Sequence, residues 1–215
     1  NRTALRRIAV LDPIQVTVEN YPEDQTEYFT VSNNPGDETA GTREVPFTRT
    51  LYIERADFAL DPPPKFHRLK PDGEVRLMGA YIVKLREVRT DAAGRPVELI
   101  CTADLESRNN APADGRKVKG TIHWVSAPHS KTAEVYEYES LFTIENTGAI
   151  DEGARYDDYL NPDSMRLYPD ARVEPALAEA APGARFQFVR TGYFCRDTKR
   201  DAFLRIVELK DSKPF

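Results

Sequence analysis

Asp114-Gly115-Arg116-Lys117-Val118-Lys119-Gly120-Thr121-Ile122-His123-Trp124-Val125 is the stretch from which the fold is read. Asp-Gly signals a turn, because glycine takes positive φ without steric cost. After it the residues alternate: Val118, Ile122 and Trp124 share one face, and Lys117, Lys119, Thr121 and His123 share the other. A period of two predicts a strand with one buried and one wet face, and the single tryptophan of the chain ends the buried one.

The same signature recurs along the 215 residues. Short apolar segments predict strands over residues 10–18, 27–31, 45–53, 75–88, 97–103 and 118–125. Further strands are expected over residues 134–144, 164–167, 185–195 and 202–209. Turn clusters such as Ser32-Asn33-Asn34-Pro35-Gly36-Asp37 and Asp61-Pro62-Pro63-Pro64 separate them. Many short strands at this spacing argue for an all-β chain of two consecutive small β-barrels with short helical turns. The expected units are residues 8–127 and 128–215, with the segment 1–12 returning to the second. Helix formers after Pro175, stopped by Pro182-Gly183, predict one short helix over 175–181, and residues 151–160 an acidic turn or two.

The formal charge of −5 argues against a protein that coats nucleic acid by bulk charge. Its distribution is uneven: net +3 over residues 43–89, −9 over 134–179 and +4 over 185–205. Two basic regions flanking an acidic one leave room for a local anion-binding surface. Cys101 and Cys195 lack metal-type spacing and read as core thiols of a reducing, cytoplasmic compartment. No apolar run approaches membrane-spanning length. The chain begins at Asn1, directly before a strand, and is expected to be a piece of a longer protein.

Catalytic chemistry is hard to find. Phosphate-binding glycine loops, the nucleophile-elbow motif and His-Glu-x-x-His are absent from the sequence. His123 and His129 lie six apart across Pro128, an unusual spacing for zinc, and Asp157-Asp158 sit in an acidic run that reads as a solvated loop. Binding chemistry is better supported. Lys65-Phe66-His67-Arg68-Leu69-Lys70 sets aromatic rings among cations, and Arg185-Phe186-Gln187-Phe188-Val189-Arg190 alternates phenylalanine with hydrogen-bonding forks. Unstacked bases need both a π-face and edge donors, so these stretches suit single-stranded RNA. By themselves, these residues are better accounted for by an ordinary strand with phenylalanine inside and cations outside.

Six ordered blocks resemble the C-terminal, anticodon-binding half of the glutaminyl-tRNA synthetase family. They are residues 6–13, 43–47, 52–58, 74–77 with Ala80-Tyr81, 114–125, and 186–188 with Arg190 and Gly192-Tyr193-Phe194-Cys195. The resemblance implies two β-barrels that grip the anticodon of tRNA(Gln), with the chemistry that uses ATP and Mg2+ in an upstream part of the parent ligase. It implies no cofactor, metal or catalytic residue in this stretch, a monomer, and no DNA or membrane partner. By position, Arg6, Gln187 and Arg190 match residues that read the middle base, a uracil. Its two carbonyls and one N–H suit two Arg forks and an amide. Arg68 matches the reader of the third base, guanine, whose O6 and N7 accept paired donors. Arg76 matches a first-base contact, and Asn1 an anticodon-loop contact. Gly36, Lys65, His67 and Met78 depart from the family's Asn, Gln, Lys and Arg, which puts first-base contacts in doubt; Lys65 and His67 stay in the expected RNA-binding set. The archaeal and eukaryotic type of glutamyl-tRNA synthetase shares the barrels and is the nearest alternative. A ribosomal-RNA-binding barrel protein is another.

Overall fold

A computed structural model describes residues 3–150 and 153–209. Two seven-stranded, nearly closed barrel-like sheets carry the fold. The first contains β3 (Pro13–Val18), β6 (Thr50–Glu54), β7 (Glu74–Leu77), β8 (Ile82–Thr90), β9 (Pro96–Asp104), β10 (Thr121–Ile122) and β11 (Trp124–Ser126), in the order β10-β7-β8-β9-β3-β6-β11. A hairpin of β4 (Glu27–Ser32) and β5 (Thr42–Phe47) covers it. The second contains β1 (Leu5–Arg7), β2 (Ala9–Val10), β12 (Lys131–Tyr138), β13 (Met165–Val173), β14 (Arg185–Phe188), β15 (Gly192–Arg196) and β16 (Ala202–Glu208). Their order is β1-β14-β15-β16-β12-β13-β2.

Alternation explains the regular strands. In β3, Ile14, Val16 and Val18 point inward, and in β6 Leu51 and Ile53 do. The first core gathers aromatic rings around Phe47, which meets Tyr21, Phe29, Tyr81 and Trp124 edge-on at centroid distances of 5.0, 5.9, 5.2 and 5.1 Å. Trp124 also donates its indole N–H to the Met78 carbonyl at 3.0 Å, so burial leaves its polar end satisfied. The second core rests on Phe188 stacked on Phe194 at 4.2 Å, with Phe203 edge-on to Phe188.

Each sheet is brought near closure by one chain segment whose two halves pair at opposite ends. Residues 121–126 pair through β10 with β7 and through β11 with β6, broken at His123. Residues 5–10 pair through β1 with β14 and through β2 with β13, broken at Ile8. The two closing segments pack against each other, β2 on β11 and β6. Ile8-Ala9-Val10-Leu11 are therefore all buried: Ile8 and Val10 join the first core, Ala9 and Leu11 the second. A strand covered on both faces reads as an unbroken apolar run, not an alternating one.

Several sequence expectations shift for this reason. The strand expected over 118–125 starts only at Thr121, and His123, placed on the wet face, is 2 % exposed because the second barrel covers that face. The strand over 10–18 divides at Leu11-Asp12, where the chain crosses from one sheet to the other. Those over 45–53, 75–88 and 185–195 each prove to be two strands joined by a tight connection. β12 ends at Tyr138, short of the expected 144, whereas β13 runs on to Val173. The helix over 175–181 is a single turn, Pro175–Ala178. Cys101 is a core thiol, pushed up to about 12 by burial and by Glu19, while Cys195 is only half-buried.

Buried charge ties the two sheets together. Glu174, 2 % exposed, accepts from Arg43 on the β4–β5 hairpin through both oxygens at 2.7 and 2.9 Å, and lies 3.5 Å from Arg7. Burial pushes the Glu174 carboxyl above the ordinary range, against the hydrogen bond and charge of Arg43 and the charge of Arg7. Glu174→Ala strands two buried cations and is expected to cost about 3–5 kcal/mol of stability. In urea unfolding it should lower the midpoint without changing the slope.

Candidate nucleic-acid interface

β1 lies parallel to β14 with Arg6 opposite Gln187, so the two side chains project side by side between Leu5/Phe186 and Arg7/Phe188. Phe186 and Phe188 point into the second core, which turns Gln187 the other way. Gln187 Oε1 is buried and has no hydrogen-bond partner among the described residues. A buried acceptor left unmatched is costly, and such a group calls for a donor from outside the described residues.

Two residues beyond β14 the chain turns sharply, with Arg190 at φ 64°, in the left-handed region. The Val189 N–H donates to the Arg7 carbonyl at 2.9 Å, which locks this turn to β1. Arg190 then reaches across to the first sheet and grips Asp57 with both ends of its guanidinium, at 2.6 and 2.8 Å. Asp57 ends the 3-10 turn after β6, and its backbone carbonyl accepts from Leu69 N at 3.0 Å. Its carboxylate also meets Arg68 Nε at 3.1 Å, while Arg68 Nη1 donates to the Ala56 carbonyl. Arg68 and Arg190 thus converge on one buried carboxylate.

His123 completes the constellation. Its Nδ1 lies 3.0 Å from Arg190 Nη1, and its Nε2 lies 3.5 Å from Glu54 Oε1. Arginine can only donate, so Nδ1 must accept and the ring proton sits on Nε2, facing Glu54. Glu54 in turn accepts from the backbone N–H groups of Leu11 and Asp12 at 2.7 and 3.1 Å, where the chain crosses between sheets. These residues line an open cleft of about 640 Å³ between the two sheets.

Arg6 and Gln187 do not line this cleft, and the remaining expected residues lie elsewhere or are committed otherwise. Lys65 and His67 are exposed on the loop that carries Arg68, with Lys65 at φ 66°. That loop rests on the stretch of residues 114–125: a Cβ on Gly120 would stand 2.0 Å from the His67 carbonyl oxygen, so only glycine permits the approach. Arg76 donates to the carbonyls of Ala80 and Ser107 at 3.1 and 3.0 Å and to that of Asn110, holding the turn at 105–110. It lines a second groove with Lys117 and Lys119, both exposed, and with Arg116. Hydrogen bonds that it donates to Asp104 and Asp114 hold the Arg116 guanidinium above its ordinary pKa, so its charge is already matched. Asn1 lies outside the described residues. Among the described residues no cluster of three His, Cys, Asp or Glu is placed to hold a metal, and His129 contacts Thr26, away from His123's partners.

A family model described as the anti-codon binding domain of class I tRNA synthetases (E and Q) matches residues 4–104, and a second of the same description matches residues 121–197. The chain belongs to this family. It is 48 % identical over 216 residues to a glutamine–tRNA ligase of Rhodopirellula baltica, covering 99 % of this chain and 36 % of that protein. It is 51 % identical over 215 residues to the ligase of Xanthomonas campestris pv. campestris, covering 97 % and 37 %. With that of Tolumonas auensis it shares 45 % over 217 residues, covering 99 % and 39 %. The anticodon-binding domain therefore spans little more than a third of the length of these relatives.

Within this domain the sequence pointed to the arginines but not to what holds them. Asp57 lies inside the block 52–58 that carries the resemblance, yet nothing local distinguishes it from a surface acid. Among the short motifs, His123 stood out only as a weak metal ligand. Glu174 gave no signal at all, because its partner Arg43 lies 131 residues away. Two outcomes check this geometry. Gly120→Ala should displace the loop carrying Arg68 and cost about 1–3 kcal/mol, measured by thermal or urea unfolding. Nitrogen NMR of the His123 ring should report a protonated Nε2 and a bare Nδ1; the opposite tautomer would disprove the Arg190 contact.

Proposed function

We propose that this chain is the anticodon-reading part of a glutamine–tRNA ligase, and that the middle uracil is read by Arg6, Gln187 and Arg190. The observation that carries the proposal is the buried, unmatched Gln187 Oε1 beside Arg6 in paired strands. Uracil is unusual among bases in pairing one N–H donor with two flanking carbonyls. Its N3–H would satisfy Gln187 Oε1, and its O2 and O4 would take the guanidinium donors. Arg190 uses three N–H contacts on Asp57 and His123, and its other N–H groups remain for a base.

Arg68 is assigned the third base. It presents an edge of its guanidinium on a half-exposed surface, and paired donors match guanine O6 and N7 better than the cytosine of glutamate anticodons. The first base falls to the neighbourhood of Lys65, His67 and Arg76. Because Arg76 spends its guanidinium on three carbonyls, its part is to hold the turn bearing Asn109 and Asn110. Asn1 is assigned an anticodon-loop contact. The units proposed are residues 8–127 and 128–215, with the N-terminal segment serving the second. The partner is tRNA(Gln), bound by a monomeric ligase in the cytoplasm, with no DNA or membrane involved. ATP, Mg2+ and aminoacylation belong to the rest of that ligase. No described helix is long and apolar enough to cross a membrane.

Single-base variants of a tRNA(Gln) anticodon stem–loop test the assignments. Arg68→Ala should cost about 1–3 kcal/mol of binding and relax preference at the third position. Arg190→Ala should instead relax preference for the middle uracil. Were both substitutions to weaken every RNA by one common factor while lowering the salt slope by about one unit, the arginines would be phosphate clamps.

A further inference from the structure

We infer that Asp57 is a specificity-determining residue that makes recognition of the middle and third anticodon bases interdependent. The inference rests on the base assignments proposed above for Arg190 and Arg68.

Asp57 touches no base itself. Its side chain is 3 % exposed and meets two arginine side chains that are 27 % and 37 % exposed. Its Oδ1 is shared: Arg190 Nη2 stands 2.8 Å away and Arg68 Nε 3.1 Å away. Its Oδ2 takes Arg190 Nη1 at 2.6 Å. The three residues come from three segments, the turn after β6, the loop before β7 and the β14–β15 turn of the second sheet. Nothing but this carboxylate joins the two arginines in the contacts described. One anion facing two cations sets up a competition, because movement of either guanidinium towards a base changes how firmly the other is held.

The surroundings make that competition matter. His123 Nδ1 lies 3.0 Å from Arg190 Nη1, and with the paired contacts to Asp57 it gives Arg190 one well-defined resting position. Asp12, Glu137 and Glu208 also line the cleft, as do Arg166 and Arg205, but Arg205 is paired with Glu137, Glu139 and Glu208. Asp57 is thus the anion in direct contact with both arginines. A wrong third base that drags Arg68 out of place disturbs Arg190 too, and a second error at the middle base then has less left to destroy. Independent readers on separate carboxylates would give multiplicative losses instead.

The test is a cycle of four anticodon stem–loop RNAs: the glutamine anticodon CUG, its middle-base replacement, its third-base replacement, and both together. Dissociation constants are measured for the unaltered chain and for Asp57→Asn, whose folding is checked by thermal melting. In the unaltered chain, the double replacement should lose less than the product of the single losses, by about fivefold or more. In Asp57→Asn the product should hold to within about twofold. Equal non-additivity in both proteins overturns the role of Asp57 while leaving the base assignments intact. Loss of the effect of single-base replacement in the unaltered chain is a different signature, and overturns the assignments themselves. If Asp57→Asn does not fold, Arg68→Gln serves instead, since it preserves the Arg190–Asp57 pair. It should shift discrimination at the middle base, which Arg68 does not contact, by about fivefold; unchanged middle-base discrimination overturns the inference.

Discussion

The crossing of the chain at Leu11-Asp12 constrains everything else in this structure. Before it, residues 5–10 pair at both ends of the second sheet; after it, β3 threads the first. A segment buried on both faces must satisfy its backbone without help from water. The Glu54 carboxylate does so at the crossing itself, and the Ile8 carbonyl accepts from Glu174 N at 3.0 Å. Neither sheet approaches closure without this segment or its counterpart, residues 121–126, and the two pack on each other. The relation of one barrel to the other is therefore set by the same residues that complete their cores.

This arrangement explains why the charged residues at the seam are so heavily tied. The contrast between basic and acidic blocks suggests separate surfaces, yet the first basic block meets the acidic one where Arg43 pairs with Glu174, and the two basic blocks meet where Arg190 pairs with Asp57, across separations of 131 and 133 residues. Arg172 adds a guanidinium over the Tyr52 ring at 5.0 Å. A buried pair of this kind contributes little net stability against an apolar replacement, but it fixes geometry, because misplacing either partner is expensive. For a surface that must distinguish bases by hydrogen-bond pattern, fixed donor directions matter more than gross positive charge. That is compatible with a chain of formal charge −5.

The cleft is correspondingly pre-organised. Arg190 is held in a left-handed turn by backbone contacts and by Asp57, and Arg68 by Asp57 and the Ala56 carbonyl, so neither must lose much rotamer freedom to meet a ligand. Gln187, which does not line this cleft, is different, since its acceptor is buried without a match among the described residues. An unmatched acceptor in register with Arg6 suits the N–H of a planar base edge, whereas a phosphate would need donors only.

Local pattern in the sequence determined the strand-rich fold, the many turns, and the aromatic residues that fill each core. Alternation reports which side chains point inward, and that information is carried by neighbours two residues apart. The arginines and Gln187 were also legible, through the six ordered blocks that carry the family resemblance. Ile8-Ala9-Val10-Leu11, in contrast, shows no alternation, and its role in two cores could not be read from it. His123 looks like a wet-face residue until the second barrel is placed over it. Asp57, Glu54 and Glu174 resemble surface acids until their partners arrive from more than forty residues away, Leu11 in the case of Glu54. Sequence periodicity encodes the orientation of a residue within its own element. Which elements meet, and hence which charges neutralise one another, was decided only when the two barrels packed across their shared crossing.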